Sequence, residues 1–202
     1  MRVKHHDKRK EFFDRHSSSW DKNYPPETLL RAGRVLRELG IQTGEKVLDL
    51  GCGNGVLFPI FRDIIGNSGF LCGLDFSLAM LKISADLTNA DFIVCGDASA
   101  IPFTDSYFDH IIAFASFPHF ADKELVCREA NRILKPSGIF SVVHLMSSFD
   151  LQNHHKCAGE EVKNDLLPPK NHFMKILAKS GFEDIQIEDI QGKFIMSSKK
   201  KV

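Results

Sequence analysis

The sequence has no excess of charge of either sign: 26 Lys and Arg balance 26 Asp and Glu across 202 residues. No global field therefore draws the chain to nucleic acid or to an anionic membrane surface. It also lacks an apolar run of spanning length, and its start, with His5, His6 and several lysines, carries no apolar segment of the signal-peptide kind. A soluble, cytoplasmic protein is expected, with no membrane role. Cysteine is sparse. The five residues Cys52, Cys72, Cys95, Cys127 and Cys157 include no C-x-x-C pair and fall mostly in apolar segments, which suits a reducing compartment and excludes a disulfide scaffold. Internal repeats, low-complexity tracts and long linkers are missing too. With 43% hydrophobic content, one globular domain with a sizeable core is expected. The basic clusters at the two ends (Arg2, Lys4, Lys8, Arg9, Lys10; Lys199, Lys200, Lys201) read as solvated, frayed termini rather than phosphate grips.

What is present is alternation. Short apolar runs succeed amphipathic stretches from residue 27 almost to the end, the pattern of parallel strands with crossover helices. A helix should follow Pro25-Pro26 with Leu29, Leu30, Val35, Leu36 and Leu39 on one apolar face and Gly40 ending it. Strand one is read as Lys46 to Leu50. The turn Gly51-Cys52-Gly53-Asn54-Gly55 leads to a helix carrying Leu57, Ile60, Phe61, Ile64 and Ile65, with Pro59 in its first turn and Gly66 as its stop. Strand two, Phe70 to Leu74, ends on Asp75, and Ser77 is placed to cap a helix through Leu78, Leu81, Ile83 and Leu87. Strand three is Phe92 to Cys95 and strand four Phe108 to Ala115. Asp122 can cap a helix ending near Leu134, and Lys135-Pro136-Ser137-Gly138 should turn into strand five, Ile139 to Val143. Past this point, Met146 to Lys170 is polar without clear period and reads as a lid. Phe182 to Ile190 and Phe194 to Met196, joined by Gln191-Gly192, read as a hairpin adding an antiparallel strand. The chain thus divides into a cap segment (1–26), a core (27–145), a lid (146–170) and a terminal helix with hairpin (171–202).

In open sheets of this kind, ligands bind outside the carboxyl ends of the strands, where glycines allow close approach of backbone. The spacing G-x-G-x-G over residues 51–55 departs from the G-x-G-x-x-G of dinucleotide sites, and Asp49 stands where such a strand is usually apolar. A carboxylate there suits a ligand with a cationic amino acid part rather than a pyrophosphate. No G-K-[ST] follows, which removes a nucleotide triphosphate. Asp75, twenty residues beyond Gly55, can accept hydrogen bonds from both hydroxyls of a ribose. Phe76 beside it can lie against an adenine, and Gly96-Asp97-Ala98 can present a carboxylate and a backbone amide to the adenine edge.

VLDLGCGNG, GLDFS, CGDASAIPF, YFDHIIAFASFPHF and REANRILKPSGIF resemble, in order and spacing, the successive motifs of class I S-adenosylmethionine-dependent methyltransferases. FFDRHSSSWD is similar to the entry segment of small-molecule members, and GFEDIQIEDIQGKFIMSSKK to the terminal hairpin. The resemblance implies an α/β, Rossmann-like doubly wound sheet of seven strands, order 3-2-1-4-5-7-6 with strand 7 antiparallel. It implies S-adenosylmethionine as cofactor, with Asp49, Gly51, Cys52, Gly53 and Gly55 around the methionine part, Asp75 at the ribose, Phe76, Asp97 and Ala98 at the adenine, and Ala115 at the end of strand four beside the cofactor. A small-molecule methyl acceptor is expected. Ala115-Ser116-Phe117-Pro118-His119 stands where the amine methylases of nucleic acid bases have a pattern such as N-P-P-Y, and no Pro-Cys pair of the cytosine enzymes is present, so nucleic acid is disfavoured. An RNA or protein acceptor remains an alternative, as do a nicotinamide-type oxidoreductase and a non-catalytic cofactor-binding module. Oligomeric state is left open.

Phe12, Phe13 and Trp20 either wall the site and face the sulfonium or anchor an N-terminal helix. On the acceptor side, His119 follows strand four and His144 follows strand five, so both imidazoles open onto the expected edge. The lid adds His154, His155 and Cys157, with His155 the third candidate. These histidines are read as catalytic, a general base for a protonated acceptor, ahead of a metal or metal-bound substrate because the usual ligand spacings are missing. The competing reading is that nine histidines in 202 residues simply scatter.

Overall fold

The computed structural model describes residues 3–85 and 89–202. Seven strands form one sheet in the order β3-β2-β1-β4-β5-β7-β6, where β1 is Lys46–Leu50, β2 Phe70–Asp75, β3 Phe92–Cys95, β4 Phe108–Phe114, β5 Leu134–His144, β6 Phe182–Ile190 and β7 Lys193–Lys200. The neighbours from β3 through β5 pair in parallel, and β7 alone runs antiparallel, set between β5 and β6. The expected architecture and strand order are both observed.

Both faces of the sheet are covered, so its central strands are apolar on both sides. Val47, Leu71, Ile112 and Val143 pack on one face against α2 (Pro26–Glu38) and α3 (Phe58–Ile65) through Leu36, Phe58, Phe61 and Ile65. Leu48, Cys72, Ile111 and Val142 project to the other, against α5 (Lys123–Ile133) and α7 (Lys170–Lys179) through Val126, Ala130, Phe173 and Leu177. The helix limits follow local chemistry. Ser77 accepts the amide of Met80 at the start of α4 (Leu78–Ser84), Asp122 accepts that of Leu125 ahead of α5, and Gly66 closes α3 with φ of 66°. Leu87, read as part of the helix after strand two, lies outside the described residues, as does Arg2 of the N-terminal basic cluster.

Four readings need correction. Leu30 is not on the buried face of α2 but 65% exposed, because the apolar stripe runs through Ala32, Val35 and Leu36. The turn at residues 135–138 is absorbed into β5, where Leu134 pairs with Phe108 and the register then shifts; Ser137 takes a φ of 65° as the strand bulges. The polar stretch 146–170, expected to be a lid, contains a helix, α6 (Ser148–Ala158), capped by Ser147 and too weakly amphipathic to show in the sequence. Three of the basic residues near the ends are held rather than frayed. Arg9 and Lys10 sit in helix α1 (Val3–His16) and pair with Asp165 and Asp14, while Lys200 ends β7 and donates to the carbonyl of Leu134.

A third apolar cluster joins the start of the chain to this core: Phe12 and Phe13 of α1 pack with Met80 of α4 and Val162 of the lid. Ser77 donates to the Asp14 carboxylate, pinning α1 above the carboxyl edge of the sheet.

Candidate functional site

A cavity of about 350 Å³ opens at the carboxyl ends of β1, β2 and β4. Its floor is the turn after β1. Gly51 (φ 79°) donates to the carbonyl of Leu74, and a Cβ there would stand 2.5 Å from that of Ser116, so the turn and the segment after β4 touch only because this residue has no side chain. Gly53 donates to the Asp75 carboxylate at 2.9 Å, and the Ser77 amide donates to the other oxygen at 2.8 Å. Phe13 and Trp20 roof the cavity, with Trp20 lying over Gly53 and the Phe13 ring edge-on to Phe76. Of the N-terminal aromatics, Phe13 and Trp20 line the cavity, while Phe12 and Phe13 pack α1 against Met80 and Val162.

Of the residues anticipated around a cofactor, Asp49, Gly51, Cys52, Gly53, Asp75, Phe76, Asp97, Ala98 and Ala115 all line the cavity. Gly55 does not. It shapes the turn from behind, its φ of 75° and the Phe58 ring leaving no room for a Cβ. Ala115 holds a φ of 53° just past β4, fixed by its amide on the carbonyl of Val143. Tyr24 and Asn54, not anticipated, complete the wall around Asp49. Nothing in the sequence marks Tyr24 apart from its place before the two prolines.

The electrostatics of the cavity are one-sided. Asp49 is buried, and one of its carboxylate oxygens has no partner; burial, then the nearby Asp75, push its pKa up to about 8. Burial likewise raises Asp75 to about 6 against the backbone amides that stabilise its charge, and burial with Asp49 lifts the Tyr24 hydroxyl to about 12. The side-chain oxygen of Asn54 is also buried without a partner. Two acceptors withdrawn from water and aimed at one space fit a ligand that brings N–H donors and positive charge. The carboxylate of Asp75, beside Phe76, fits a neighbouring hydroxylated group. This set of acceptors fits the donors that S-adenosylmethionine brings, an ammonium and the hydroxyls of a ribose.

Of the three candidate histidines, only His119 lines the cavity. It closes a short 3-10 turn (Phe117–His119) after β4, its ring 5.0 Å from Phe13 and 4.9 Å from His155. Its Nδ1 lies 2.9 Å from the carboxylate of Asp165, a buried residue between α6 and α7 that is also held by Arg9 of α1. Burial opposes the charge on Asp165, yet the hydrogen bonds from His119 and Arg9 hold its pKa below the usual carboxylate range. His155, on α6, is bonded through Nδ1 to the backbone carbonyl of Asp165. His144, at the end of β5, is wholly buried beside them with Nε2 unpartnered. Burial first, then the two neighbouring imidazoles, push its pKa down to about 3. The rings of His119 and His155 meet, and His144 lies near enough to feel both, but neither His144 nor His155 lines the cavity. Among the described residues no group of three or more His, Cys, Asp or Glu side chains is arranged to hold a metal ion. Nor is any helix among them long and apolar enough to cross a membrane.

Residues 48–142 match the model of a family described as a methyltransferase domain. The chain belongs to the class I S-adenosylmethionine-dependent methyltransferases. Over 191 residues it is 30% identical to an uncharacterised protein of Methanocaldococcus jannaschii, the alignment covering 89% of this chain and 72% of that one. It is 34% identical over 110 residues to the demethylmenaquinone methyltransferase of Staphylococcus aureus, a match spanning 52% of this chain and 45% of the relative. Among solved structures, a chain of the complex between the Haloferax volcanii Trm112 methyltransferase activator and a putative methyltransferase superposes with a TM-score of 0.77. It shares 22% identity, with 94% of this chain and 98% of that one covered. A phosphoethanolamine N-methyltransferase of Haemonchus contortus, bound to phosphomonomethylethanolamine and S-adenosylhomocysteine, gives 0.73 at 15% identity, with 94% and 58% covered. These structural likenesses concern the fold. Membership of a methyltransferase family displaces the oxidoreductase and non-catalytic alternatives, and S-adenosylmethionine displaces a dinucleotide as the cofactor.

Proposed function

We propose that this methyltransferase acts on a small acceptor without negative charge, and that His119 takes the acceptor's proton. Bound S-adenosylmethionine supplies an electrophilic methyl group, and the protein's contribution is alignment and proton removal. Asp49 and Asn54 would hold the amino acid part, Asp75 the ribose, and Phe76, Asp97 and Ala98 the adenine. The observation that carries the acceptor reading is the cavity's charge. Its wall includes Asp49, Asp75, Asp97 and Asp122, and no Lys or Arg among the described residues. A wall without cations offers a phosphate or carboxylate on the acceptor nothing to replace the water it would lose. The roof of Phe13 and Trp20 supports a small molecule, since aromatic side chains cover the turn that forms the floor.

The division of labour among the histidines follows from their surroundings. His144, with a pKa of about 3, stays neutral at physiological pH and binds protons too weakly to serve as base there. His119 faces the cavity and is braced by a carboxylate. The reading is tested by incubating the protein with tritium-labelled S-adenosylmethionine and fractionated extract of its source cells, then identifying the labelled product. A neutral or cationic small molecule is expected. Label appearing in nucleic acid, in protein or in a phosphorylated or carboxylated metabolite would overturn the acceptor assignment.

A further inference from the structure

Asp165 joins three parts of the chain that are remote in sequence. Its carboxylate receives Arg9 from α1 and His119 from the segment after β4, and its backbone carbonyl receives His155 from α6. It is 2% exposed although it lies in the polar lid. An ionised carboxylate accepts hydrogen bonds and cannot donate them, so the nitrogen of His119 facing Asp165 must carry the proton. In a neutral imidazole that leaves Nε2 bare. We propose that Asp165 is the positioning residue of this enzyme: it fixes His119 as the Nδ1–H tautomer and turns an Nε2 lone pair toward the methyl acceptor, while Arg9 keeps Asp165 ionised. The proposal rests on the reading of His119 as the base, and its spectroscopic consequence can be examined apart from that reading.

The geometry also settles what an isosteric change would do. Arg9 donates from Nε to both carboxylate oxygens and from its terminal nitrogen to one of them. In Asp165→Asn the guanidinium, a pure donor, claims the amide oxygen and leaves the amide NH₂ facing His119. That group donates, so His119 must accept through Nδ1 and carry its proton on Nε2, the wrong nitrogen for a base at the cavity. The other charged and titratable groups about Asp165 are His155, held on the backbone carbonyl rather than the carboxylate, and Lys123 of α5, whose amine donates to the carbonyls of Pro118 and Phe120. Neither competes for the His119 nitrogen.

The test is ¹⁵N correlation spectroscopy of the histidine rings in the full chain, at a pH where His119 is neutral, with His119 assigned by its loss in His119→Gln. In the unsubstituted protein Nδ1 of His119 should show the protonated type of shift and Nε2 the bare type; the reverse pattern, or a rapid average of the two, overturns the proposal without any variant. In Asp165→Asn the two types should exchange places. An unchanged pattern in a variant that binds S-adenosylhomocysteine normally also overturns it. Methyl transfer to the extract, measured alongside, should fall on the order of a hundredfold in Asp165→Asn, as expected for loss of general base catalysis, with S-adenosylhomocysteine affinity within about twofold of normal. Exchanged tautomers with undiminished transfer would uphold Asp165 as what orients His119 and refute His119 as the base, so the two failures are told apart.

Discussion

Cofactor binding should expel a proton from Asp49. With burial holding its pKa at about 8, roughly nine in ten Asp49 side chains are neutral at pH 7 when nothing cationic is near them. An ammonium brought against the unpartnered oxygen favours the carboxylate and lowers that pKa by an opposite-charge interaction in a dry site. Binding of S-adenosylhomocysteine at pH 7 should therefore release ~0.9 proton, with the Asp75 carboxyl, at about 6, adding ~0.1 if it too becomes fully ionised. Calorimetric titrations in phosphate and in Tris, buffers of very different ionisation enthalpy, read this number from the slope of observed enthalpy against buffer enthalpy. The slope should fade toward zero above about pH 9, where Asp49 is already ionised. At pH 7 it should drop to ~0.1 or less in Asp49→Asn, and with adenosine, which lacks the ammonium. A slope near zero for S-adenosylhomocysteine at pH 7, with tight binding, would refute the assignment of Asp49 to the cationic part of the ligand.

Without ligand, the same two carboxyls make stability depend on pH. Their folded pKa values lie above the unfolded one, so their contribution favours the fold below about pH 4 and is lost as pH rises toward 8. His144, its pKa depressed to about 3, acts in the opposite sense, so the effect is read by comparison: between pH 4 and 8 the melting temperature of the unsubstituted protein should fall relative to that of Asp49→Asn. Asp75→Ala should weaken S-adenosylhomocysteine binding by about tenfold or more, since hydrogen bonds to a charged acceptor contribute ~1.5–3 kcal/mol; equal affinity by calorimetry would remove Asp75 from the ribose. Gly51→Ala should cost on the order of 2–4 kcal/mol in denaturant melts, combining a left-handed backbone with a clash against Ser116. A loss below about 1 kcal/mol would mean that the turn after β1 moves freely from the segment after β4.

The sequence was most readable where chemistry is local. Ser77, Asp122 and Gly66 mark their helix ends by capping rules that need only a few neighbouring residues, and the glycines at 51 and 53 declare a ligand-bearing turn without knowledge of the rest of the fold. Where a local signal misled, a distant partner had overruled it. Pro136-Ser137-Gly138 has the composition of a turn, yet pairing of Leu134 with Phe108 draws the segment into β5 as a bulge. Asp165 was illegible for the same reason. Nothing beside it in a polar stretch distinguishes it from the other acids of the lid, and its meaning comes from Arg9, 156 positions earlier, and His119, 46 positions earlier. The three histidines could be placed at one sheet edge from strand positions alone, but which of them faces the cavity depends on side-chain directions that spacing does not contain.

The place of β7 bears on how the protein must be made. Of these seven strands the last in chain order is not an edge strand but an interior one, inserted between β5 and β6. Until Lys193–Lys200 emerges, β6 has no neighbour to pair with and the flank of β5 stands open. The site-bearing half of the sheet, β1 to β5, is by then fully synthesised. A nascent chain can therefore assemble the floor of its cavity early, yet it carries an unfilled slot beside β5 until β7 arrives, and in that interval an intruding strand from another chain would find the same vacancy.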